Sequence, residues 1–505
     1  MKNKLDVKVV KYKRLKEEIK NLKKINDVIR FSELYYRKLP REYRAKIFNG
    51  VIQDRQLNLE KFKFSLRLSV ELSYIFISYK TNIMSIFNKY NFNLSEEKEL
   101  FIVIVEKIYE LDWLKNLNEN KFENNDFKRY LNYKYDYPSI NIYEYFKLFK
   151  YFDELSNDIY GLSIYKNFYI LIILLASTEK LYVKNITLNK ELRNIKNLEN
   201  LFLDGHKLKK VRFTKENLRE IYKGKLGIQF YDGLYIPKSY HVLVNILRGI
   251  IENKKSKDKK GDILEKYTKD IIRETFRDIY HTLYDKKGNE QDLIIQFEDK
   301  ILFVECKAQN FKSIFIEDKN SIQIREEHFK KVIVKACDQC QRGKDYLLNN
   351  KVAIYYNSNK KKGREKVLEI DNIDNKKIFK IVVVLDEYLD LAELSNRYLE
   401  EKYRDTWVVN VFALHRILWI SNRINKINTF FEYLEYRIQN NLGIESLHCD
   451  ELAQFGYWIS NNYNMYPKLG SGIDIILNNS FTKIFNEYDF YFNEELKKEM
   501  LKIKL

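Results

Sequence analysis

Along most of the chain, apolar residues recur at intervals of three and four, the spacing that lays a stripe on one side of a helix. Leu15, Ile19, Leu22, Ile25 and Ile29 form such a stripe near the start, and the runs 100–111 and 164–176 predict further helices. One stretch of the first half reads otherwise. Residues 228–236 alternate around Asp232-Gly233 and stop at Pro237, which predicts a hairpin. Residues 253–260 then form a polar run without an apolar anchor, a linker before a new domain. From Gly261 the pattern predicts a helix over 262–280, strands over 291–297 and 301–307, a helix over 321–349 and a strand over 352–356, with the apolar run 378–385 continuing the sheet. Beyond about 390 helical spacing returns, most clearly over 409–420 and 430–438. The expected organisation is a mainly helical region over 1–252, a mixed α/β domain over 253–392 and a helical C-terminal region over 393–505, with no internal repeat.

Length agrees with several cores: 505 residues exceed what one compact domain holds. A hydrophobic content of 45%, rich in Tyr and Phe, excludes wholesale disorder, and 15 Gly with 4 Pro excludes linker-dominated architectures. Four cysteines are too sparse for a disulfide scaffold, and the charged start has no signal-peptide pattern, so a cytoplasmic protein is expected. The longest apolar run, Phe168–Ala176, has nine residues against the ~20 a bilayer requires, so no membrane association is expected.

The net charge is +19, of which +10 lies in the first 50 residues, with sixteen Lys/Arg against six Asp/Glu. A composition rich in Lys, Asn and Ile raises the total without selection for a polyanion, so the uneven distribution is the more telling fact. Lys13, Arg14, Lys16 and Lys20 fall largely outside the apolar stripe of the first helix, and Lys361, Lys362 and Arg364 fall in a loop after the strand at 352–356. Both groups are candidate phosphate contacts; a solvated charged face is the plainer alternative for each.

The strand 301–307 carries the chemistry. It is apolar for four residues and ends Glu305-Cys306-Lys307. Alternation puts Glu305 and Lys307 on one face, about 6.6 Å apart along the strand. Charges ending a buried strand need partners, and a divalent metal on Glu305 with Lys307 beside the reacting water or phosphate meets that need. Asp292 opens the preceding strand. With a turn of two or four residues, as at Asp299-Lys300, it falls opposite Lys307 and joins that face. Glu265 lies on the inward stripe of the helix that includes Leu264, Thr268, Ile271 and Ile272, where an apolar residue is the ordinary choice.

Together, Glu265 on a helix, Asp292 on a strand and Glu305-x-Lys307 closing the next resemble the PD-(D/E)xK nuclease superfamily, the restriction-endonuclease-like fold, over about 261–350. Gln291 stands where the motif's proline would be. The resemblance implies a Mg2+-dependent endonuclease, a hydrolase of phosphodiester bonds, with Mn2+ tolerated. Asp292, Glu305 and the Cys306 carbonyl would bind metal, Glu265 would assist as a metal or water partner, and Lys307 would stabilise developing charge. Gln339, on the following helix, is a further candidate, with Gln341 behind it. DNA is the expected substrate, RNA remaining open, and restriction or antiviral defence the expected setting, with a homodimer or a partner protein subunit allowed. A catalytically inactive nuclease-fold DNA-binding or complex-assembly protein is the main alternative, and a transposition or junction-processing endonuclease a third.

Other signals point to structure. Cys337-x-x-Cys340 is a single pair on a helix's apolar stripe, so core packing outweighs zinc. The histidines form no HxH or HExxH pattern, and Gly343-Lys344 lacks the rest of a phosphate-binding loop.

Overall fold

The computed structural model describes residues 2–57, 93–118, 141–176, 195–208, 221–309, 327–385, 399–440, 451–461 and 483–504, apart from a few positions within them, with a handful of isolated residues besides. The chain divides into two compact units between Lys255 and Ser256, close to the break expected at 253.

In the first unit, α1 (Lys2–Asn21), α2 (Ile25–Tyr36) and α3 (Arg41–Leu57) each pack on α4 (Leu94–Asn118). Tyr36, Phe48, Phe76 and Phe101 interlock there, ring centroids 4.5–5.8 Å apart. The single basic helix expected through Ile29 is therefore two helices. Lys24 takes an extended conformation (φ −129°, ψ 138°), and Ile19 and Ile29 are buried on separate helices. Of the cations expected to grip phosphate, Arg14 pairs with Glu18 at 3.4 Å and Lys16 pairs with Glu99, while Lys13 and Lys20 are exposed. The unit continues through α5 (Ile142–Tyr151), α6 (Asp153–Tyr160) and α7 (Phe168–Ala176). The expected hairpin is present as β2 (Gly227–Phe230) and β3 (Gly233–Tyr235), with β1 (Phe202–Asp204) added parallel to β2; α8 (His241–Ile251) follows.

The second unit is mixed α+β, built on a seven-stranded mixed sheet flanked by helices. Its strands are β4 (Asp278–Tyr284), β5 (Glu290–Phe297), β6 (Lys300–Lys307), β7 (Ala353–Tyr356), β8 (Lys366–Ile370), β9 (Lys377–Val384) and β10 (Thr406–Asn410), in the spatial order β10-β9-β6-β5-β4-β7-β8. The three strands β4–β6 form an antiparallel meander, and β9 runs parallel to β6 along all of it. α9 (Lys260–Arg273) packs on the meander, and α10 (Lys335–Leu348), entered through a π-helical turn at Lys330–Val334, covers β6 and β9.

Three expectations need correction. The helix expected over 262–280 ends at Arg273, and 278–284 is strand β4. Only Leu283 of that strand is buried, so its alternation is too faint to mark it, and Phe276 turns inward to meet Phe297 and Phe431 at 5.7 and 5.9 Å. The β5–β6 turn is Glu298-Asp299, with Glu298 at φ 53°, so the register places Asp292 across from Glu305 and not from Lys307. The break expected at 392/393 is absent. β10 extends the sheet beside β9, and α11 (Val411–Asn425) and α12 (Asn428–Asn440) pack on it. All five residues of β10 are buried, and Phe430 and Phe431 join Phe276, Phe297 and Trp407 in one aromatic core. α13 (Glu451–Ser460) and α14 (Asn486–Lys504) complete the unit. Among the described residues no helix is long and apolar enough to cross a membrane.

Candidate functional site

The β5–β6 ladder runs from Phe297↔Lys300 to Leu293↔Val304 and then stops. Beyond it two carboxylates act as ladder acceptors. The Cys306 backbone N–H donates to Asp292 Oδ2 at 2.8 Å, and the Asp292 backbone N–H donates to Glu305 Oε1 at 3.4 Å. On the other side of Asp292, Thr282 of β4 takes φ 52° and forms no ladder pair, although His281 and Leu283 do. A left-handed β-branched residue costs on the order of 1–3 kcal/mol and marks a strand bent for a reason.

The bend changes which way β5 faces. A Cβ built on Gly343 of α10 would lie 2.5 Å from Gln291 Oε1 and 2.9 Å from the Phe303 ring, so both side chains point at α10. Strict alternation from the Ile294↔Phe303 pair would send Gln291 to the opposite face. Gln291 Nε2 instead donates to the backbone carbonyls of Glu290 (2.8 Å) and Gln339 (3.3 Å), the second on α10. The next residue, Asp292, is thereby turned toward the Cys306 amide.

Lys307 closes the group. Its Nζ donates to Glu305 Oε2 at 3.2 Å and stands 3.8 Å from Asp292 Oδ2. Glu305 is fully buried and Asp292 is 6% exposed. Burial, and then the Asp292 charge, push the Glu305 carboxyl well above the ordinary carboxylate range, against the pull of Lys307. For Lys307 burial works downward, but Glu305 and then Asp292 outweigh it and the ammonium is held. Glu265, half-buried on α9, is pushed up to about 7 by burial, then by Asp292, Asp262 and Glu290, with Lys307 opposing. The helix, both strands and the ammonium thus share one electrostatic environment.

The structure brings Asp292, Glu305, the Cys306 main chain and Lys307 into direct contact, and places Glu265 within electrostatic reach of them. Glu265 does not complete a metal cage here: among the described residues no three His, Cys, Asp or Glu side chains gather closely enough to hold an ion. Gln339 enters through its main chain as the acceptor for Gln291. Gln341 donates to Asp345 at 2.7 Å on the exposed side of α10 and accepts from buried Lys380. Cys337 and Cys340 are buried, Cys340 Sγ lying 3.7 Å from the Phe303 carbonyl, in keeping with a packing role. Arg364 stacks on Tyr356, its guanidinium 4.0 Å from the ring centroid, while Lys361 and Lys362 lie outside the described residues.

Two neighbours escaped the sequence reading. Tyr284, at the end of β4, has its phenol pushed up by burial and then by Glu290, with Glu265 and Asp292 also acting on it, so it borders the acidic group. The pattern that predicts a helix to 280 and a loop after it hides this strand, and Tyr284 falls in that loop. Gln291 was visible only as the residue in place of a proline.

The donor set suits an oxygen-preferring divalent ion: two carboxylates meet across adjacent strands, each accepting from the other strand's main chain, with one ammonium against the two of them. Asp292, Glu305 and the Cys306 carbonyl are the groups that would hold it. Comparison with protein-family models, with curated proteins and with solved structures finds no match to this chain.

Proposed function

We propose that this protein is a metal-dependent phosphodiesterase acting on nucleic acid, an endonuclease of DNA built on a restriction-endonuclease-like domain. The observation that carries the reading is the meeting of Asp292 and Glu305 at the opened end of the β5–β6 ladder, with Lys307 touching one carboxylate and 3.8 Å from the other. The helix–meander–helix–parallel-strand order of 260–384 supports it, since each of the three motif segments falls on the element type the resemblance implies. Mg2+ is the expected ion, and when bound it would supply a polarised phosphate oxygen and an activated water.

The chain's own residues do the rest. Asp292 and Glu305 fix the position of positive charge opposite the scissile phosphate. Lys307, kept protonated by both, presents an ammonium to the negative charge that grows in the transition state. Glu265, with a carboxyl near neutrality, is suited to accept a proton from the attacking water. Incubation with plasmid and single-stranded DNA under Mg2+, Mn2+ and EDTA tests the reading. Wild type cuts with either metal and not with EDTA; absence of metal-dependent cutting of both substrates rejects it.

A second reading has one observation in its favour: no three-ligand cluster forms among the described residues, while Lys307 already neutralises part of the acidic group. On that reading the domain binds DNA without cutting it, and salt-dependent binding with no metal-dependent cleavage is its signature.

A further inference from the structure

Two loops lie side by side at the end of the sheet where Asp292 and Lys307 emerge. The first joins β4 to β5. Its shape is set by Asp285, 5% exposed, whose Oδ1 accepts from the amides of Lys287 (2.7 Å) and Asn289 (2.9 Å) and whose Oδ2 accepts from Asn289 Nδ2 at 2.8 Å. Gly288, at φ 87°, completes the turn, and Lys286 and Lys287 are left exposed. The second loop leaves β7 at Tyr356 and returns at Lys366, carrying exposed Lys360 and half-buried Arg364. The loops touch: Arg364 Nη1 donates to the Lys286 carbonyl at 3.5 Å, and a Cβ on Gly288 would lie 3.7 Å from Asn359 Cβ.

The rim is continuous with the site. Tyr356, under the Arg364 guanidinium, pairs across the ladder with Tyr284, and the Tyr284 hydroxyl donates to Glu290 Oε1 at 3.2 Å. Among the described residues no carboxylate pairs with the side chain of Lys286, Lys287, Lys360 or Arg364. The acids nearest in sequence are engaged: Asp285 by its own turn, Glu290 by Tyr284, and Glu365 by Asn357 Nδ2 at 3.3 Å.

When Glu265, Asp292 and Glu305 are all ionised, three negative charges face the single positive charge of Lys307, so without further cations the site repels a polyanion. Lys286, Lys287, Lys360 and Arg364 set positive charge beside it, at the point of approach.

We propose that Lys286, Lys287, Lys360 and Arg364 form a grip for the phosphate backbone of DNA, independent of base sequence, which delivers a strand to the Asp292–Glu305 site. The identity of the polyanion rests on the function proposed above. Each phosphate contact contributes about 0.9 to the slope of log affinity against log salt for duplex DNA.

Binding of a labelled random-sequence duplex, measured across salt concentrations in EDTA, separates grip from cleavage. The variant Lys286→Gln/Lys287→Gln/Lys360→Gln/Arg364→Gln lowers the magnitude of that slope by about 3.6, four contacts at about 0.9 each. Lys286→Gln/Lys287→Gln alone lowers it by about 1.8, while Lys497→Gln/Lys498→Gln, an equal charge change at exposed positions of α14, leaves it unchanged. An equal response from both pairs, a fourfold variant that binds as wild type at every salt, or competition by polyglutamate as effective as by DNA would overturn the grip. A grip that behaves as stated in a protein that never cuts with Mg2+ removes the proposed function alone; cutting with an unmoved slope removes the grip alone.

Discussion

Asp292 accepts a hydrogen bond from the backbone N–H of Cys306 at 2.8 Å, taking the place of a main-chain carbonyl where two central strands part. A side chain that completes a ladder is held by the sheet itself, and so is the Glu305 carboxylate reached by the Asp292 amide. Both carboxyl groups are therefore placed before any ligand arrives, and preorganised groups are the ones that act most effectively on developing charge.

That arrangement strains the unliganded protein. In wild type Glu305 is fully buried beside Asp292. Glu305→Gln keeps the shape and removes the ionisable group that burial and Asp292 disfavour in its charged form, so in EDTA at neutral pH the variant is no less stable than wild type. Urea unfolding measures this, and the same variant has no metal-dependent cleavage. A loss of several kcal/mol would show that the carboxylate is structural.

The same logic gives a pH dependence. Glu265 rises from an ordinary 4.5 to about 7 in the folded protein. Between those values the native state holds a proton that the unfolded chain has released, so this group's contribution falls as pH rises through that window. In EDTA, Glu265→Gln gains stability relative to wild type between pH 5 and pH 8. Unfolding series of both proteins at the two pH values check the sign; a difference that shrinks with rising pH contradicts it.

Gly343 lets α10 approach Gln291 and Phe303. An added Cβ at 2.5 and 2.9 Å from them must displace one or the other. Alanine has the better helix propensity by about 1 kcal/mol, yet overpacking outweighs it, and Gly343→Ala is destabilising by about 1–2 kcal/mol. Gln291→Ala in the same chain restores part of the loss, because the clash is shared; a double-mutant cycle by urea unfolding shows coupling, and simple additivity would exclude the contact.

Phe431 tests the joining of the C-terminal helices to the sheet. It is 2% exposed and meets Phe297 and Phe379 at 5.6 and 5.5 Å. Phe431→Ala costs about 3–5 kcal/mol in one cooperative transition that includes the sheet. Separate transitions for the sheet and for residues beyond 399 would restore the three-part organisation.

The sequence made the chemistry easier to read than the frame around it. Glu305 and Lys307 stood out because charges end an apolar strand, and Asp292 because an acid opens the one before. The turn was two residues long as required, but its position depends on Glu298 adopting a left-handed conformation, which no local pattern announces. β4 was hidden because one face is solvated and the other buries only Leu283. β10, five buried residues flanked by helices, merged with the helical pattern around it. The turning of Asp292 toward Cys306 comes from long-range contacts of Gln291 with α10, and residues 48 positions apart leave no trace in periodicity.

Calorimetric titration of Mg2+ into the metal-free protein tests the central claim most directly. Wild type binds the ion, and Asp292→Ala and Glu305→Ala abolish or strongly weaken binding while keeping the native circular dichroism. Equal binding by all three proteins, or none by wild type, would contradict a metal centre at the opened end of the β5–β6 ladder.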